Sequence, residues 1–465
     1  MMLVIRNLAL LAALLIMVGC ASTPLPALPD GDVPESWQGP IPTGASVWPS
    51  QAWWGNFASD ELTEFMSLVE TQNLDLANNQ RNLRRAQIVL EDAGFDLWPT
   101  PVLEVGATER YSGEKIAGVD YFDGGSGSAN LSLGISYTDI LSKPASYGAA
   151  VARFDSSVAL AADTRLNTQG VSASTYFRIL LLRDRIVAAK QNLQNAEAIA
   201  RIVDARVDAG TVTPIDGLQQ RIAVQRQANN IQSLMQEEFA ARSSLALLLA
   251  DSVQNVRVRS ESLEEIQVPK VQPGLTAELL VRRPDIVQSE ANLRVSRANL
   301  DLVRTAYLPN ISLTGSAGLV GDSVGDLFDA DELLTSATAS IVQTLLDNGA
   351  RGRNTERARL DLETSLADYR KTVISAFNDI EVSLANIELL DALAQFAADD
   401  LARAEEAFRI SEVRYREGVD DYQTVLTTQN TLFSVRNNFY DNKLARLNAI
   451  VALYQALGGG WSSDR

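Results

Sequence analysis

Leu308-Pro309-Asn310-Ile311-Ser312-Leu313-Thr314-Gly315-Ser316 decides the fold, because the spacing of apolar residues changes period inside it. A helical stretch runs into Pro309. After it, apolar residues alternate strictly with small or polar ones, the pattern of a strand with two unlike faces. The same switch lies 210 residues earlier, where Trp98-Pro99 leads to Leu103-Glu104-Val105-Gly106-Ala107-Thr108. A second alternating run follows each: Leu131-Ser132-Leu133-Gly134-Ile135-Ser136-Tyr137, and then Ala339-Ser340-Ile341-Val342-Gln343-Thr344-Leu345. Strands of about ten residues, apolar outward and polar inward, are the signature of an outer-membrane barrel, and a half-buried soluble sheet carries the same alternation. The Gly- and Asp-rich stretches 112–128 and 321–331 read as exposed turns between the paired strands.

The chain is a duplicated unit. Asp75, Asn82, Arg84, Leu90 and Pro99 recur as Asp285, Asn292, Arg294, Leu300 and Pro309; further on, Glu197, Arg201, Arg206, Gly210 and Leu218 recur as Glu405, Arg409, Arg414, Gly418 and Leu426. No proline lies between Pro144 and Pro214 or beyond Pro309, and residues 353–417 contain no glycine. If 144–208 and 350–416 are single helices, each is roughly 100 Å long at the α-helical rise. Rods of that length imply coiled-coil-like packing, helix beside helix, rather than a globular core. Each ends at a glycine, Gly210 or Gly418, where a left-handed helix cap is cheap, and a second helix returns to near Leu249 or Leu457. The expected fold is therefore mixed α/β: long helical hairpins with four strands per chain. Four strands leave two unpaired edges, which a bilayer penalises by several kcal/mol per backbone group. Other copies must close the sheet; two chains give eight strands and three give twelve with an aqueous lumen.

The first residues read as an export leader. Arg6 precedes an apolar run at 8–18, too short for a bilayer span of about 20 residues. The run ends in Val18-Gly19-Cys20-Ala21-Ser22, which resembles a bacterial lipoprotein processing site with Cys20 as the lipidated residue. Seven of the fifteen prolines fall between Pro24 and Pro49, as in an extended leash. The 465 residues carry 40 Lys and Arg against 58 Asp and Glu, a formal charge of −18 that argues against a nucleic-acid partner. There is no histidine, and Cys20 is the one cysteine, so histidine zinc sites, Ser-His-Asp triads and CxxC motifs are excluded within one chain. No cofactor is implied.

Arg282-Arg283-Pro284-Asp285-Ile286, then Glu290-Ala291, then Leu308-Pro309-Asn310-Ile311 through Gly318 resembles the TolC-like outer-membrane factor family, in the lipoprotein branch of multidrug-efflux outer-membrane channels. Trp53-Trp54, Arg414-Tyr415 with Gly418, Asp421-Tyr422 and the terminal Gly458-Gly459-Gly460-Trp461 match it too. The resemblance implies a homotrimer with a 12-stranded outer-membrane β-barrel and a periplasmic α-barrel. It further implies docking on a periplasmic adaptor and on an inner-membrane transporter of the proton-driven RND type. The function implied is a passive exit channel of a tripartite efflux pump, without enzymatic activity, lipid-anchored in the outer membrane of a Gram-negative bacterium. The division is then 1–19 signal peptide, 20–52 lipidated N-terminus and tether, 53–255 first repeat, 256–275 linker and 276–465 second repeat.

Pro284 and Asp285 read as a helix start, with Asp285 in the positive field of the N-terminus, and the three glycines before Trp461 as a helix stop. In a channel the chemistry is the field at its constriction. The family places acids just after the periplasmic turn of the second hairpin; here Thr424 and Thr427 stand where relatives often have aspartates. Asp420 and Asp421, with Asp216 in the first hairpin, are the remaining periplasmic gate candidates, and capping a helix is their alternative role. The turns holding Arg206, Gly210, Arg414 and Gly418 correspond to the family's adaptor-contact tips. A periplasmic coiled-coil adaptor or scaffold lipoprotein is the rival reading, though it has no need of two strand pairs. A glycosidase using Asp399-Asp400 fails, since adjacent helical residues diverge by about 100°.

Overall fold

The computed structural model describes residues 34, 37–38, 49–116, 119–269, 279–322 and 333–461, without the side chains of 109–127. Cys20, the leader, most of the tether and most of the turn expected at 321–331 lie outside the described residues. A 3-10 turn (Trp53–Phe57) precedes α1 (Asp60–Gln72), α2 (Leu74–Phe95), β1 (Thr100–Ile116), β2 (Val119–Tyr137), α3 (Lys143–Asp208) and α4 (Pro214–Leu248). Then follow α5 (Leu279–Arg282), α6 (Pro284–Thr305), β3 (Asn310–Gly321), β4 (Leu333–Val342), α7 (Ala350–Arg416) and α8 (Tyr422–Ala456). Both long proline-free stretches are single helices, of 66 and 67 residues. Equivalent elements of the two halves match in length: α2 and α6 have 22 residues each, α4 and α8 have 35 each.

The chain divides into two compact units, and neither is one of the sequence repeats. One takes Leu83–Ser157 and Ser289–Tyr369; the other takes Pro29–Asn82, Val158–Gln288 and Arg370–Arg465. Each unit thus draws on both halves of the duplication.

The first unit holds an antiparallel sheet in the order β1-β2-β3-β4. Its two hairpins differ from expectation. Residues 112–128 are not a loop: β1 and β2 stay paired from Thr108↔Ser128 to Ile116↔Val119, with one irregularity between Arg110 and Ser112. Turn-type composition misled there because antiparallel pairing uses the backbone, and extending an existing ladder closes no new loop. Strand β4 ends at Val342 rather than 345, because Val342 pairs with Asn310, the first residue of β3, and no partner backbone lies beyond. Gln343 instead sends its side-chain amide to the Tyr307 carbonyl at 3.3 Å.

Both exits from the sheet turn on a left-handed residue, Asp139 (φ 55) and Asn348 (φ 54). Asn310 donates to the Asp139 carboxylate at 2.5 Å. Asp347 accepts the Arg351 amide and guanidinium at 2.9 and 2.7 Å, which hold its carboxyl down at about 2. Helices pack in the same unit through Arg294 on Asp155 at 3.2 Å and Ser296 on Ser365 at 2.7 Å.

The second unit is centred on aromatic rings. Trp53 stacks on Tyr454 with ring centroids 5.2 Å apart, and Phe57 meets Phe177 at 5.0 Å; all four are buried. Burial opposes charge on Glu61, but the amides of Arg259 and Ser260, at 2.5 and 2.9 Å, outweigh it and lower its pKa. That carboxylate pins the segment joining the two repeats to α1.

The matched Arg283-Pro284-Asp285 is a structural junction as well as a helix start. Pro284 opens α6, and the buried Arg283 guanidinium forks onto Asp285 at 3.0 and 2.7 Å. It also reaches Asp379 at 3.1 Å and the Ala456 carbonyl at 3.2 Å, tying α6 to α7 and to the end of α8. The three glycines stop α8 as expected. Gly458 sits at φ +82, where a Cβ would lie 2.1 Å from the Arg282 carbonyl oxygen, so the two matched motifs pack directly on each other.

Beside this junction is a cavity of about 470 Å³ whose lining includes Asp163, Asn167, Arg283, Asp285 and Asp379. Burial first, and the Asp285 charge second, push the Asp163 carboxyl up.

Replacing Arg283 by Ala leaves two carboxylates and the buried Ala376 and Ala456 carbonyls without their cation, so unfolding in detergent should become easier by about 3–5 kcal/mol, with Lys recovering only part. Asp163 gives a prediction of opposite sign. Its folded pKa is raised, so its neutral form favours the fold below the ordinary carboxylate range, and that contribution is lost as pH rises through the folded value. Asp163→Asn should therefore stabilise at neutral pH and lose its advantage on acidification; a pH series of unfolding midpoints in which the gap between variant and wild type does not narrow toward low pH contradicts this.

Candidate functional site

The sheet has two unlike faces, set by the register. Leu103, Leu133 and Ala317 pair in one row, and Val105, Leu131 and Leu319 in the next, so one face is a continuous apolar band. The other carries Ser132 against Gly318, Ser136 against Thr314 and Ser312 against Ser340. Among the described residues no layer covers the apolar face: Leu103 is 67% exposed, Val105 68% and Ile341 70%. A half-buried soluble sheet would bury that face on its own core, and this one does not. Among the described residues β1 and β4 each pair on one side only, so both outer edges are free. No described helix is long and apolar enough to cross a membrane.

The tips of the two helical hairpins are built alike. At the first, Gly210 (φ +71) donates to the Val207 carbonyl and Thr211 to the Arg206 carbonyl, both at 2.9 Å. At the second, Gly418 (φ +79) donates to Tyr415 and Val419 to Arg414, at 3.0 and 2.9 Å. This crossed pair closes a helix on a left-handed residue, and glycine has no Cβ to oppose it.

Each acid singled out from the sequence has a partner at these tips. Asp216 completes a capping box with Thr213, accepting its amide at 3.1 Å and its hydroxyl at 3.0 Å. Asp421 caps α8, and the Thr424 hydroxyl (2.7 Å) and amide (2.8 Å) hold its carboxyl below the usual range. Asp420 pairs with Arg414 at 2.9 Å. Thr427 turns its hydroxyl back to the Gln423 carbonyl at 2.8 Å. Among the described residues no group of three or more acidic, His or Cys side chains is placed to hold a metal.

The feature that sequence reading missed is what joins the two tips. The Arg206 guanidinium lies 4.4 Å above the Tyr415 ring and donates to the Tyr415 carbonyl at 2.6 Å. One turn further in, the Tyr422 hydroxyl donates to Gln220 at 2.9 Å, while Gln220 donates to the Ala196 carbonyl at 2.7 Å. Burial, with the Asp216 and Tyr415 charges, pushes the Tyr422 hydroxyl up to about 12, so it stays a donor at any ordinary pH. The available signal was two tyrosines, Tyr415 and Tyr422, bracketing a turn in a chain only 6% aromatic.

Arg206→Ala removes both the ring contact and the charged hydrogen bond, together worth about 1–3 kcal/mol. Amide exchange at Gly418 and Val419 should then accelerate about tenfold or more, with exchange at the β3–β4 ladder unchanged; equal protection at the tip would show that the clasp does not hold it.

The geometry agrees with the comparisons to known proteins. Pyoverdine export outer membrane protein OpmQ of Pseudomonas aeruginosa is 31% identical over 471 residues, covering 99% of this chain and 98% of that protein. The fold is shared with the MtrE outer membrane channel of Neisseria gonorrhoeae (TM-score 0.84, 24% identity, 96% of this chain and 99% of that one). It is shared also with the CmeC outer membrane channel of Campylobacter jejuni (TM-score 0.83, 21% identity, 96% of each). The family model described as outer membrane efflux protein matches twice, over residues 66–251 and 275–459, and the chain belongs to that family.

Proposed function

We propose that this outer membrane efflux protein is a passive exit channel: three copies close a 12-stranded barrel, and their helical hairpins continue it as a tunnel into the periplasm. The observation that carries this reading is the four-stranded sheet with two edges and an apolar face that the described residues of the chain leave unpaired and uncovered. Twelve strands are the smaller closure that leaves an aqueous lumen, eight being nearly filled by side chains. The channel performs no catalysis; selectivity and gating come from the field of its lining.

The remaining assignments rest on the sequence and on the names of relatives. Residues 1–19 are removed as a leader, Cys20 is lipidated, 20–52 form the tether, and 53–255 and 276–465 are the two repeats joined by 256–275. The turns at Arg206, Gly210, Arg414 and Gly418 meet a periplasmic adaptor, which links the channel to a proton-driven inner-membrane transporter. Asp216, Asp420, Asp421, Thr424 and Thr427 stand nearest the closing aperture. The export and channel names of OpmQ, MtrE and CmeC favour this reading over an adaptor or scaffold.

Full-length protein extracted from membranes should run as a trimer by mass and give stepwise ohmic conductance in planar bilayers. A soluble monomer without conductance sinks the channel. Crosslinkers placed at Gly210 and Gly418 should capture a periplasmic protein in cells, and capture at neither position would remove the docking assignment.

A further inference from the structure

Among the strand residues whose side chains are described, Glu104 is the one that carries a charge. It lies on β1 opposite Ser132, which pairs with Gly318, which pairs in turn with Leu334. That row of the sheet therefore offers its carboxylate a hydroxyl-bearing residue, a bare backbone and an aliphatic chain, and no cation. Glu104 also makes no ion pair with any described residue and is exposed. The pleat decides which way it faces. Leu103 and Val105, its neighbours along the strand, belong to the apolar band, so Glu104 stands on the other face with Gly106. Asn130, the register partner of Gly106, shares that face, its side-chain oxygen lying against the place a Cβ on Gly106 would occupy. A carboxylate on the lipid side would be destabilising, whereas on the polar side it faces water.

We propose that Glu104 is a specificity-determining residue of the conduit, forming a ring of three carboxylates at one height in the barrel lumen that favours cations and retards anions. This rests on the trimeric closure proposed above. Twelve strands about 4.8 Å apart and tilted about 40° give a backbone radius of about 12 Å, so a glutamate reaching inward brings each carboxylate to roughly 7 Å from the axis. At that distance three unpaired charges act on a passing ion within one Debye length at 0.1 M salt, about 10 Å, and well outside it at 1 M, about 3 Å. The ring should therefore produce a cation-over-anion preference of about threefold or more at 10 mM salt that shrinks below about twofold at 1 M.

The test is the reversal potential of full-length channels in planar bilayers under KCl gradients, at both salt levels. Glu104→Gln should lower the potassium-over-chloride ratio by about threefold or more in dilute salt and barely change it in concentrated salt; Glu104→Lys should lower it further. Because either variant could assemble poorly, Glu104→Cys provides a second route. Once it conducts, a sulfonate-bearing thiosulfonate reagent should restore the preference and a trimethylammonium-bearing one should invert it. Wild-type channels that conduct while the ratio stays the same in every variant and after both reagents overturn the role of Glu104 alone. A wild-type protein that never conducts overturns the channel reading, and this inference with it.

Discussion

The free edges of a four-stranded sheet are the constraint on which the rest depends. In water an unpaired edge is tolerable, because solvent completes its hydrogen bonds. In hydrocarbon nothing does, and each unmet N–H or C=O costs several kcal/mol. Strand β4, ten residues long, turns about half of its backbone groups outward, so its edge alone would cost on the order of tens of kcal/mol in a bilayer. That exceeds the 5–15 kcal/mol by which whole domains are stable. A sheet of this kind cannot be inserted first and closed later. In the proposed trimer, closure and insertion would then be one event, which makes the oligomer a condition of the fold rather than an elaboration of it.

The helices face the opposite problem. Their backbone bonds are satisfied internally, and what they lack is lateral cover. Helix α7 leaves Leu389 57% and Phe396 65% exposed, and α4 leaves Phe239 51% exposed. A lone rod with such residues is a poor structure in water; in the proposed trimer the same closure that pairs the strand edges supplies neighbours for them. The buried polar residues of the second unit do different work. Arg283, Glu61 and Gln220 each bind backbone groups from a second element, so they fix how elements cross rather than adding to the apolar core.

Much of this was legible from the chain. The two rods follow from where proline is missing, and their ends from Gly210 and Gly418. The strand faces follow from alternation alone. The hairpin at 112–128 was not legible, because glycine, serine and aspartate report a side-chain preference for turns while the ladder is held by backbone groups common to every residue. Nor was the Arg206–Tyr415 clasp: its members are 209 residues apart in sequence, and no local spacing marks a contact between two different hairpins. Arg283 shows the intermediate case. Its place at a helix start could be read, but its partners Asp379 and Ala456 could not, because they come from helices that the fold alone brings together.

Duplication has also been used to separate roles that began as equivalent. Thr213 and Asp216 cap the first returning helix; Asp421 and Thr424, 208 residues on, cap the second with the two residue types exchanged. The hydroxyl-to-carboxylate bond survives the exchange, at 3.0 Å in one and 2.7 Å in the other. The carboxylate, however, moves three positions along the chain, from inside the first turn of the helix to its cap. Arg206 and Arg414 diverge in the same way: one ties the two hairpins together through Tyr415, the other stays within its own turn on Asp420. In the proposed trimer the capping carboxylates would then form two distinct sets of three rather than one ring of six, beside the three Asp420 carboxylates paired with Arg414. Nor does capping remove these acids from electrostatics. At Asp421 the Thr424 hydroxyl and amide hold the carboxyl below its usual range, so there the bond that shapes the helix start also keeps the charge that an aperture would use.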